Sequence, residues 1–191
     1  MAALRSEQLP VRAELEAVNA ASVAALVAVL TTMVAQTGVL EEHVRLGFGQ
    51  HPDAEIYLSQ PGLGTILAAR VLAEMGDDPT RYVDARARKN YAGMAPITRA
   101  SGTKRVVLAR YMRNRRLADA LYQQAFSALT SSPGARACYD RHRAAGATHH
   151  QALRTLANRL VGILHGCLRH HQPYNETTAW ANQTAPNPIA A

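Results

Sequence analysis

The sequence predicts a mainly α-helical protein, in which a long helical arm precedes a compact helical domain. Alanine and leucine dominate the 191 residues and aromatic residues make up only 5%, whereas strands are usually enriched in aromatic and β-branched residues. Apolar residues recur at steps of three and four along most of the chain, which is the period of a helix with one buried face. Proline and glycine collect at a few points between these periodic stretches. We therefore expect helices joined by short turns.

The first element is a proline-free stretch from about residue 13 to residue 46, which predicts one long helix. Gly47, Gly49 and Pro52 follow the stretch and predict its end. Residues at alternating steps of three and four form one seam along this helix. Such a seam either pairs with a second helix as a coiled coil or packs on its own domain, and the sequence leaves both open. We assign residues 1–50 to this arm. The seam consists of Val23, Leu26, Leu30, Met33, Thr37, Leu40 and Val44.

Two helices with a tight turn between them are predicted in residues 56–79, IYLSQPGLGTILAARVLAEMGDDP. Ile56 and Leu58 precede the Pro-Gly-Leu-Gly turn, and Gly76 closes the second helix. The pattern is typical of a helix-hairpin-helix, in which glycines let a phosphate approach the N–H groups that open the second helix. An ordinary corner between helices would use the same glycines only for turning. The expected buried stripe is Ile66, Leu67, Val71, Leu72 and Met75, and the candidate phosphate contacts are Pro61, Gly62, Gly64 and Thr65.

The rest of the second domain, residues 51–174, is expected to alternate between irregular segments and helices. Residues 79–104 predict a short helix or irregular chain with one short extended piece. An arginine-rich amphipathic helix is predicted from Val106 to Leu129. The SSPG sequence at 131–134 predicts a break with a capping serine, and helices are expected at 135–144 and 148–168. Residues 175–191 lack periodicity and are expected to form a disordered tail.

The net charge of +7 is concentrated in one segment. Residues 1–60 hold three Lys or Arg against seven Asp or Glu, whereas residues 81–116 hold eleven against Asp84 alone. A basic block suits a phosphate backbone, because neutralising phosphates releases condensed counterions. A membrane is disfavoured as a partner, since Gly93, Pro96 and Gly102 interrupt the block and no run is expected to approach the length that spans a bilayer. Two cysteines and an amino terminus without a signal-peptide core predict a cytoplasmic protein.

The main candidate for a reactive group is Ser101. Arg99, Lys104 and Arg105 flank this serine, and Gly102 leaves its hydroxyl uncrowded. Cations beside a hydroxyl favour its ionised form and neutralise charge that grows on a phosphoryl group. Ser101 is therefore a candidate nucleophile in DNA strand transfer, and the competing interpretation is a turn serine in a phosphate-binding loop. The expected phosphate contacts also include Arg110, Arg113, Arg115 and Arg116.

Other chemistries have less support in the sequence. Tyr111 is a rival nucleophile, but tyrosines with exposed hydroxyls are common on amphipathic helices. The acidic residues are scattered, so a site for two catalytic metal ions is not expected. Cys138 with His142, and Cys167 with His171, have a spacing that suits zinc, yet with eight histidines in the chain such pairs arise by chance. No phosphate-loop or dinucleotide motif is present. We expect no metal or cofactor in this chain.

Four stretches keep the order and spacing of one known family. They are LSQPGLGTILAARVLAEMGD, NYAGMAPITRASGTKR, RNRRLADALYQQAFSAL and YDRHRAAGATHHQALRTLANRLVGILHGCL. From about Leu58 to Tyr174 they resemble the C-terminal half of the IS110 family (IS116/IS110/IS902-type) of bacterial insertion-sequence transposases. The arm resembles the coiled coil that joins the two halves of these enzymes.

The resemblance implies a DNA transposase in which Ser101, after GMAP, is the serine that links covalently to DNA. It also implies that the partners are DNA, a structured guide RNA and further copies of the chain, held together through the arm. The family's N-terminal domain binds Mg²⁺ through four acidic residues, and nothing in residues 1–57 matches it. We therefore expect a nucleoid-associated bacterial protein that binds nucleic acid but does not recombine DNA unaided. The alternative is a non-catalytic basic nucleic-acid-binding module.

Overall fold

A computed structural model describes residues 12–181, with the side chains of Ala13 and Arg105 outside the description. The chain divides into two compact units between His43 and Val44. Within residues 12–181 the protein has eight helices and one two-stranded sheet, so the predicted mainly α class is confirmed. The helices are α1 Ala13–Gly49, α2 Ala54–Ser59, α3 Thr65–Met75, α4 Ala85–Tyr91, α5 Arg115–Ser131, α6 Pro133–Ala144, α7 His149–His170 and α8 Glu176–Trp180, and the strands are β1 Ile97–Ser101 and β2 Lys104–Leu108.

Helix α1 exposes its apolar side chains on more than one face. The seam residues Leu30 and Met33 are 60% and 61% exposed. Val34 and Val39 are also exposed, although at 100° per residue they lie off the predicted seam. The hydroxyls of the helix are bonded internally, as when Thr31 Oγ1 donates to the carbonyl of Val27 at 2.8 Å. The surface of α1 is therefore largely apolar between residues 18 and 40, whereas both ends of the helix carry charged residues.

Residues 18–40 of α1 contain no charged side chain. By length and composition the helix Glu14–Gly49 is able to cross a membrane, since its most apolar window has a mean hydropathy of 2.0. The prediction that no run approaches this length is therefore wrong, because residues 17–40 form a continuous uncharged stretch of 24 residues. Length and composition do not distinguish a membrane span from a helix that pairs with another helix.

In the unit that begins at Val44, polar residues at helix starts define the element boundaries. The predicted cap Ser132 accepts a hydrogen bond from the Ala135 amide at 3.0 Å, and Pro133 is the first residue of α6. Thr148 and Gln151 form a capping box at the start of α7. Asn114 caps α5. Local side-chain chemistry therefore sets where these helices begin.

Helix α7 is the centre of this unit and packs against α2, α4, α5 and α6, while α3 packs on α5 and α2. Most of its apolar residues recur every three or four positions and are fully buried, while Ile163 and Leu168 are partly buried. On α3 the predicted stripe is buried at Val71 and Met75, but Ile66 is 44% exposed. The buried leucines of α5 and α7 are Leu117, Leu121, Leu153, Leu156, Leu160 and Leu164.

The predicted helix from Val106 to Leu129 is wrong in its first part. Residues 104–108 form β2, which pairs antiparallel with β1, and α5 begins only at Arg115. Gly102 has a φ of +57° and starts a two-residue turn, the pattern of a type II′ hairpin. This turn and the β-branched pair Val106 and Val107 favour a hairpin over a helix.

The segment after Pro173 is ordered through residue 181, which differs from the expected tail. Asn175 caps the short helix α8. The Glu176 carboxylate accepts hydrogen bonds from Ser132 Oγ at 3.0 Å and from the Gly134 amide at 2.7 Å. Trp180 is buried and its Nε1 donates to the Tyr174 hydroxyl. These contacts with α6 hold a segment that has no periodicity of its own, and the remainder of the predicted tail, 182–191, lies outside the described residues.

Candidate nucleic-acid interface

Ser101 is the last residue of β1 and lies exposed beside the hairpin turn. It is paired directly with Lys104, and Arg99 is paired with Val106. Opposite residues of an antiparallel pair share one face, and so do residues two apart on a strand. Ser101, Lys104 and Arg99 therefore lie on the same face of the hairpin.

The Ser101 hydroxyl makes no hydrogen bond to any side chain described in residues 12–181. Arg99 and Lys104 likewise form no ion pair within this range. The backbone of Arg105 is paired with Ala100, so this predicted contact belongs to the same hairpin. The tip thus presents a free alcohol next to two cations, without a carboxylate or imidazole to accept its proton.

A groove of about 630 Å³ lies near the other end of the hairpin and is lined by residues from the 109–114 loop, α5 and α7. A neighbouring cavity of about 270 Å³ shares Met94, Ala109, Arg110 and Arg154 with it and reaches Leu108 of β2. We call the larger space the arginine groove. Its charged and aromatic lining residues are Arg110, Tyr111, Arg113, Arg115, Asp119, Tyr122, His150 and Arg154.

None of the four groove arginines forms an ion pair with a carboxylate in residues 12–181. The one acid in the lining, Asp119, is already paired with Arg70 at 3.0 Å. The positive charge of the groove is therefore free to act on a ligand. Because the groove is also open to water, we expect this charge to be screened by salt.

Two of the predicted arginines are positioned by specific contacts. Arg110 Nη2 donates to Asn90 Oδ1 at 3.1 Å, and Arg113 Nη1 donates to the Arg110 carbonyl at 3.2 Å. The stem of Arg113 passes over Gly93, where an added Cβ would come within 2.3 Å of the Arg113 Cβ. The glycine of the GMAP motif thus makes room for an arginine of the groove.

Arg115 and Arg116 occupy the first turn of α5 and are exposed. Cations are disfavoured at this position, because the N-terminal end of a helix carries partial positive charge. The two arginines therefore add their positive charges to the partial positive charge at the start of α5. This strengthens the attraction for an anion and does not stabilise the helix.

Three groove residues were missed by the sequence interpretation: Tyr122, His150 and Arg154. Tyr122 hydrogen-bonds to His150 Nδ1, and burial raises the pKa of Tyr122. The spacing of His150 and Arg154 places them one turn apart on α7. This spacing was the only feature of the sequence that could have indicated His150 and Arg154 as a pair. It does not indicate that α7 lies beside the 109–114 loop.

Tyr111, the rival nucleophile, also lines this groove and is 81% exposed.

The turn between α2 and α3 has two distinct halves. Pro61 is buried, and its carbonyl accepts a hydrogen bond from Gln124 on α5. Gly62 has a φ of +78°, and an added Cβ would lie 2.3 Å from the Gln124 carbonyl oxygen. Gly64 is exposed with open space around it, and Thr65 begins α3. The first half of the turn thus packs on α5, while the second half leaves the start of α3 accessible.

Among residues 12–181, no group of three or more His, Cys, Asp or Glu side chains is placed to hold a metal ion. Cys138 is buried in the core cluster, whereas Cys167 lies on α7 and is half-buried. The two Cys–His pairs considered for zinc therefore do not converge into one site.

Residues 54–140 match the family model described as Transposase IS116/IS110/IS902 family. The chain is 53% identical over 142 residues to a mini-circle putative transposase for IS117 from Streptomyces coelicolor, which covers 74% of this chain and 34% of that protein. It is 37% identical over 169 residues to an uncharacterized 42 kDa protein of insertion element IS900 from Mycobacterium paratuberculosis, covering 88% and 42%. An uncharacterized 43.6 kDa protein of insertion element IS110 from Streptomyces coelicolor is 36% identical over 148 residues, covering 77% and 36%. The chain thus spans well under half the length of these relatives.

Proposed function

This chain belongs to the IS116/IS110/IS902 family of transposases, and from that premise we propose that it binds DNA and supplies Ser101 as the nucleophile for DNA strand transfer. The observation that carries the proposal is the exposed Ser101 hydroxyl on one hairpin face with Arg99 and Lys104. In the proposed step a bond forms between Ser101 Oγ and a backbone phosphorus, and one ester bond of that phosphodiester breaks. The two cations neutralise the negative charge that develops on the phosphoryl oxygens.

The proton balance of this step requires groups beyond the hairpin. Ser101 must lose a proton and the departing sugar oxygen must gain one, and no described side chain is bonded to the hydroxyl. The family resemblance points to Mg²⁺ held by an acidic N-terminal domain. We infer that residues 12–181 bind and position the nucleic acid, and that the metal-assisted chemistry depends on acidic residues outside this range.

The arginine groove and the start of α3 are the proposed backbone contacts. Arginine guanidinium groups bind phosphate in a bidentate manner, and such contacts give affinity without sequence choice. A structured guide RNA presents the same phosphate chemistry. We therefore propose that both nucleic acids use this surface, which consists of Gly64, Thr65, Arg110, Arg113, Arg115, Arg116 and Arg154 together with the hairpin residues Arg99, Lys104 and Arg105.

We also propose that copies of the chain associate through α1, and that the protein acts on DNA in the bacterial cytoplasm, associated with the nucleoid. Exposed leucines and valines along α1 support an association of helices. Each copy would then bring its own hairpin, so that two DNA ends are held in one assembly.

The binding part of the proposal is tested by salt dependence. The double variant Arg115→Gln with Arg116→Gln should reduce the slope of log affinity against log salt by about two. The matched control removes two arginines from α6, Arg136→Gln with Arg143→Gln, and should leave the slope unchanged. An affinity that does not vary with salt, or an equal effect of both doubles, would contradict backbone binding by the groove.

The catalytic part is tested by the covalent adduct between protein and DNA. With the acidic half supplied as a separate chain, Ser101→Ala should bind DNA normally and give no adduct on a denaturing gel. Thr103→Ala in the same turn serves as the control and should retain the adduct. If Ser101→Ala still forms the adduct, the serine is only a turn residue, and Tyr111→Phe then tests the rival nucleophile. If neither the natural chain nor any variant forms an adduct, the non-catalytic binding module is the correct reading.

A further inference from the structure

A second cavity, of about 370 Å³, lies at the other end of α7, and two arginines and two histidines line it together with three aspartates. It is enclosed by the C-terminal end of α3 and the segment after it, by α4, and by the last turns of α7. Its volume falls in the range of pockets that hold small ligands. Because Arg88 of α4 lines it, we call it the Arg88 cavity.

Arg88 is a buried cation without an ion-pair partner among residues 12–181. The residue is only 5% exposed, and its Nε and Nη1 atoms are buried with no hydrogen-bond partner among the described residues. The guanidinium lies over the Tyr82 ring at 4.7 Å from the ring centroid. A cation–π contact of this kind offsets part of the cost of burial, but it does not satisfy the N–H groups. Unsatisfied buried donors are rare in native proteins and require an explanation.

His165 of α7 also lines this cavity. Its Nδ1 is buried with no hydrogen-bond partner among the described residues, and the exposed Arg169 lies one turn further along α7. Burial lowers the pKa of Arg88. Burial also lowers the pKa of His165, and the positive charges of Arg88 and Arg169 lower it further. Helices α4 and α7 thus both contribute basic residues to the lining of one cavity.

Three aspartates also line the cavity: Asp53, Asp77 and Asp78. Asp78 Oδ1 accepts hydrogen bonds from both the amide and the hydroxyl of Thr80, each at 2.7 Å. Asp53 Oδ1 lies 3.6 Å from His171 Nδ1. No described carboxylate forms an ion pair with Arg88. Arg88 therefore has no carboxylate in direct contact among the described residues, although a buried unpaired charge is strongly destabilising.

We propose that the Arg88 cavity binds a phosphate group, with the Arg88 guanidinium as its principal donor and His165 and Arg169 completing the site. Guanidinium N–H groups in a fork match the oxygens of a phosphate. The volume leaves room for a small group attached to the phosphate, such as a sugar. The ligand is thus inorganic phosphate or a phosphate monoester.

The Arg88 cavity is separate from the surface assigned to the DNA backbone. It shares no lining residue with the arginine groove or its neighbouring cavity. Arg154 in the groove and Arg169 in the Arg88 cavity are both on α7 and are fifteen residues apart in the sequence, or about 22 Å along the helix. The phosphate proposal therefore stands even if the proposed strand transfer fails.

The test is a titration of the full chain with inorganic phosphate in a phosphate-free Tris chloride buffer, followed by calorimetry and by thermal unfolding. The natural chain should bind phosphate saturably, and its unfolding temperature should rise with phosphate but not with chloride at equal ionic strength. Arg88→Met should weaken phosphate binding roughly ten- to a hundredfold, because a hydrogen-bonded charge is lost. Arg88→Lys keeps the positive charge but loses the forked N–H donors of the guanidinium. Its phosphate affinity should therefore lie between those of the natural chain and Arg88→Met.

The unfolding temperature without phosphate separates a ligand-binding role from a structural one. Replacing an unpaired buried charge with an apolar residue is often neutral or stabilising, so Arg88→Met should unfold at the natural temperature or higher. The control Arg81→Met removes a guanidinium that is bonded to the Met75 carbonyl and the Tyr91 hydroxyl. It should unfold earlier yet keep the phosphate response. No saturable binding by the natural chain, or equal destabilisation by Arg88→Met with and without phosphate, would overturn the proposal.

The source of the phosphate is identified with short single-stranded oligonucleotides. If the cavity holds the end of a nucleic acid strand, a 5′-phosphorylated oligonucleotide should bind more tightly than its 5′-hydroxyl form, and Arg88→Met should remove the difference. If the ligand is a free phosphate compound, the two oligonucleotides bind equally to the natural chain while inorganic phosphate still binds. Either pattern supports the phosphate site and assigns its ligand.

Discussion

Helices α1 and α7 are both long and rich in Ala, Leu and Val, yet the apolar residues are exposed in α1 and mostly buried in α7. Leu160 of α7 is fully buried, whereas Leu30 of α1 is 60% exposed. In α7 the apolar residues keep to one face, and charged or polar residues occupy the other. In α1 the uncharged residues surround the helix over residues 18–40. The comparison shows that a high apolar content does not by itself bury a helix, because burial needs neighbours that cover the apolar face.

The largest expected effect distinguishes buried from exposed leucines. Leu160→Ala should lower the free energy of unfolding by about 2–5 kcal/mol, because it removes buried methyl groups and leaves a cavity. The matched variant Leu30→Ala should change it by no more than about 0.5 kcal/mol in a single copy of the chain. Chemical denaturation at low protein concentration measures both. Equal losses in the two variants would show that α1 is covered in solution.

The next test asks what covers α1. If copies associate through the predicted seam, Leu26→Ala with Leu30→Ala should weaken self-association by about a thousandfold or more. The two truncations together remove about 4 kcal/mol of apolar burial from each copy. The control double, Val27→Ala with Val39→Ala, lies off the seam and should have a much smaller effect. Sedimentation of the full chain over a concentration series gives the constants.

A single-copy mass for the natural chain at tens of micromolar would contradict association through the arm. If a defined mass is recovered only in detergent, α1 behaves as a membrane segment instead.

Replacing a glycine with alanine should lower the free energy of unfolding in the α2–α3 turn and raise it in α1. Gly62→Ala places a Cβ 2.3 Å from the Gln124 carbonyl oxygen at a φ of +78°, so it should cost roughly 1–3 kcal/mol. Gly38→Ala in α1 meets no atom within 4 Å. It should stabilise the helix by about 0.5–1 kcal/mol, because alanine has the higher helix propensity. Thermal unfolding of the two variants, with Gly64→Ala as a neutral control in the same turn as Gly62, tests the contrast.

The smallest expected difference in the free energy of unfolding is between the loss of a hydroxyl at the start of α6 and the loss of one within α1. Ser132→Ala should cost about 1 kcal/mol, because the hydroxyl caps α6 and also donates to Glu176. Thr31→Val in α1 loses only a bond to a carbonyl of its own helix, and should stay within about 0.5 kcal/mol of the natural chain. A larger loss in Thr31→Val than in Ser132→Ala would mean that this face of α1 contacts a polar partner.

Local signals were sufficient for most helices and insufficient for the hairpin. The SSPG sequence predicts a capping serine, which in the structure is Ser132, and the predicted glycine Gly76 does end α3, because capping depends on neighbours in sequence. The strand at Val106–Leu108 was read as helix, because three apolar residues in a row fit either period and the pairing with β1 decides between them. The order of residues 175–181 depended on contacts with α6 that no local pattern encodes.

The candidate site divides in the same way. The concentration of basic residues in 81–116 and the uncrowded Ser101 were visible in the sequence, because both are properties of neighbouring residues. His150, Arg154 and the whole Arg88 cavity were not, since they join segments that lie far apart along the chain.

The sequence by itself therefore determined the helical class, most helix boundaries and the location of the positive charge, because these follow from periodicity, capping and composition within short windows. The tertiary structure alone decided which arginines share a groove, which glycine is needed for packing, and that Arg88 is buried with no ion-pair partner in the part of the chain that the structure describes. Burial and convergence are set by the packing of α7 against α4 and α5, and such packing involves residues that are distant in sequence.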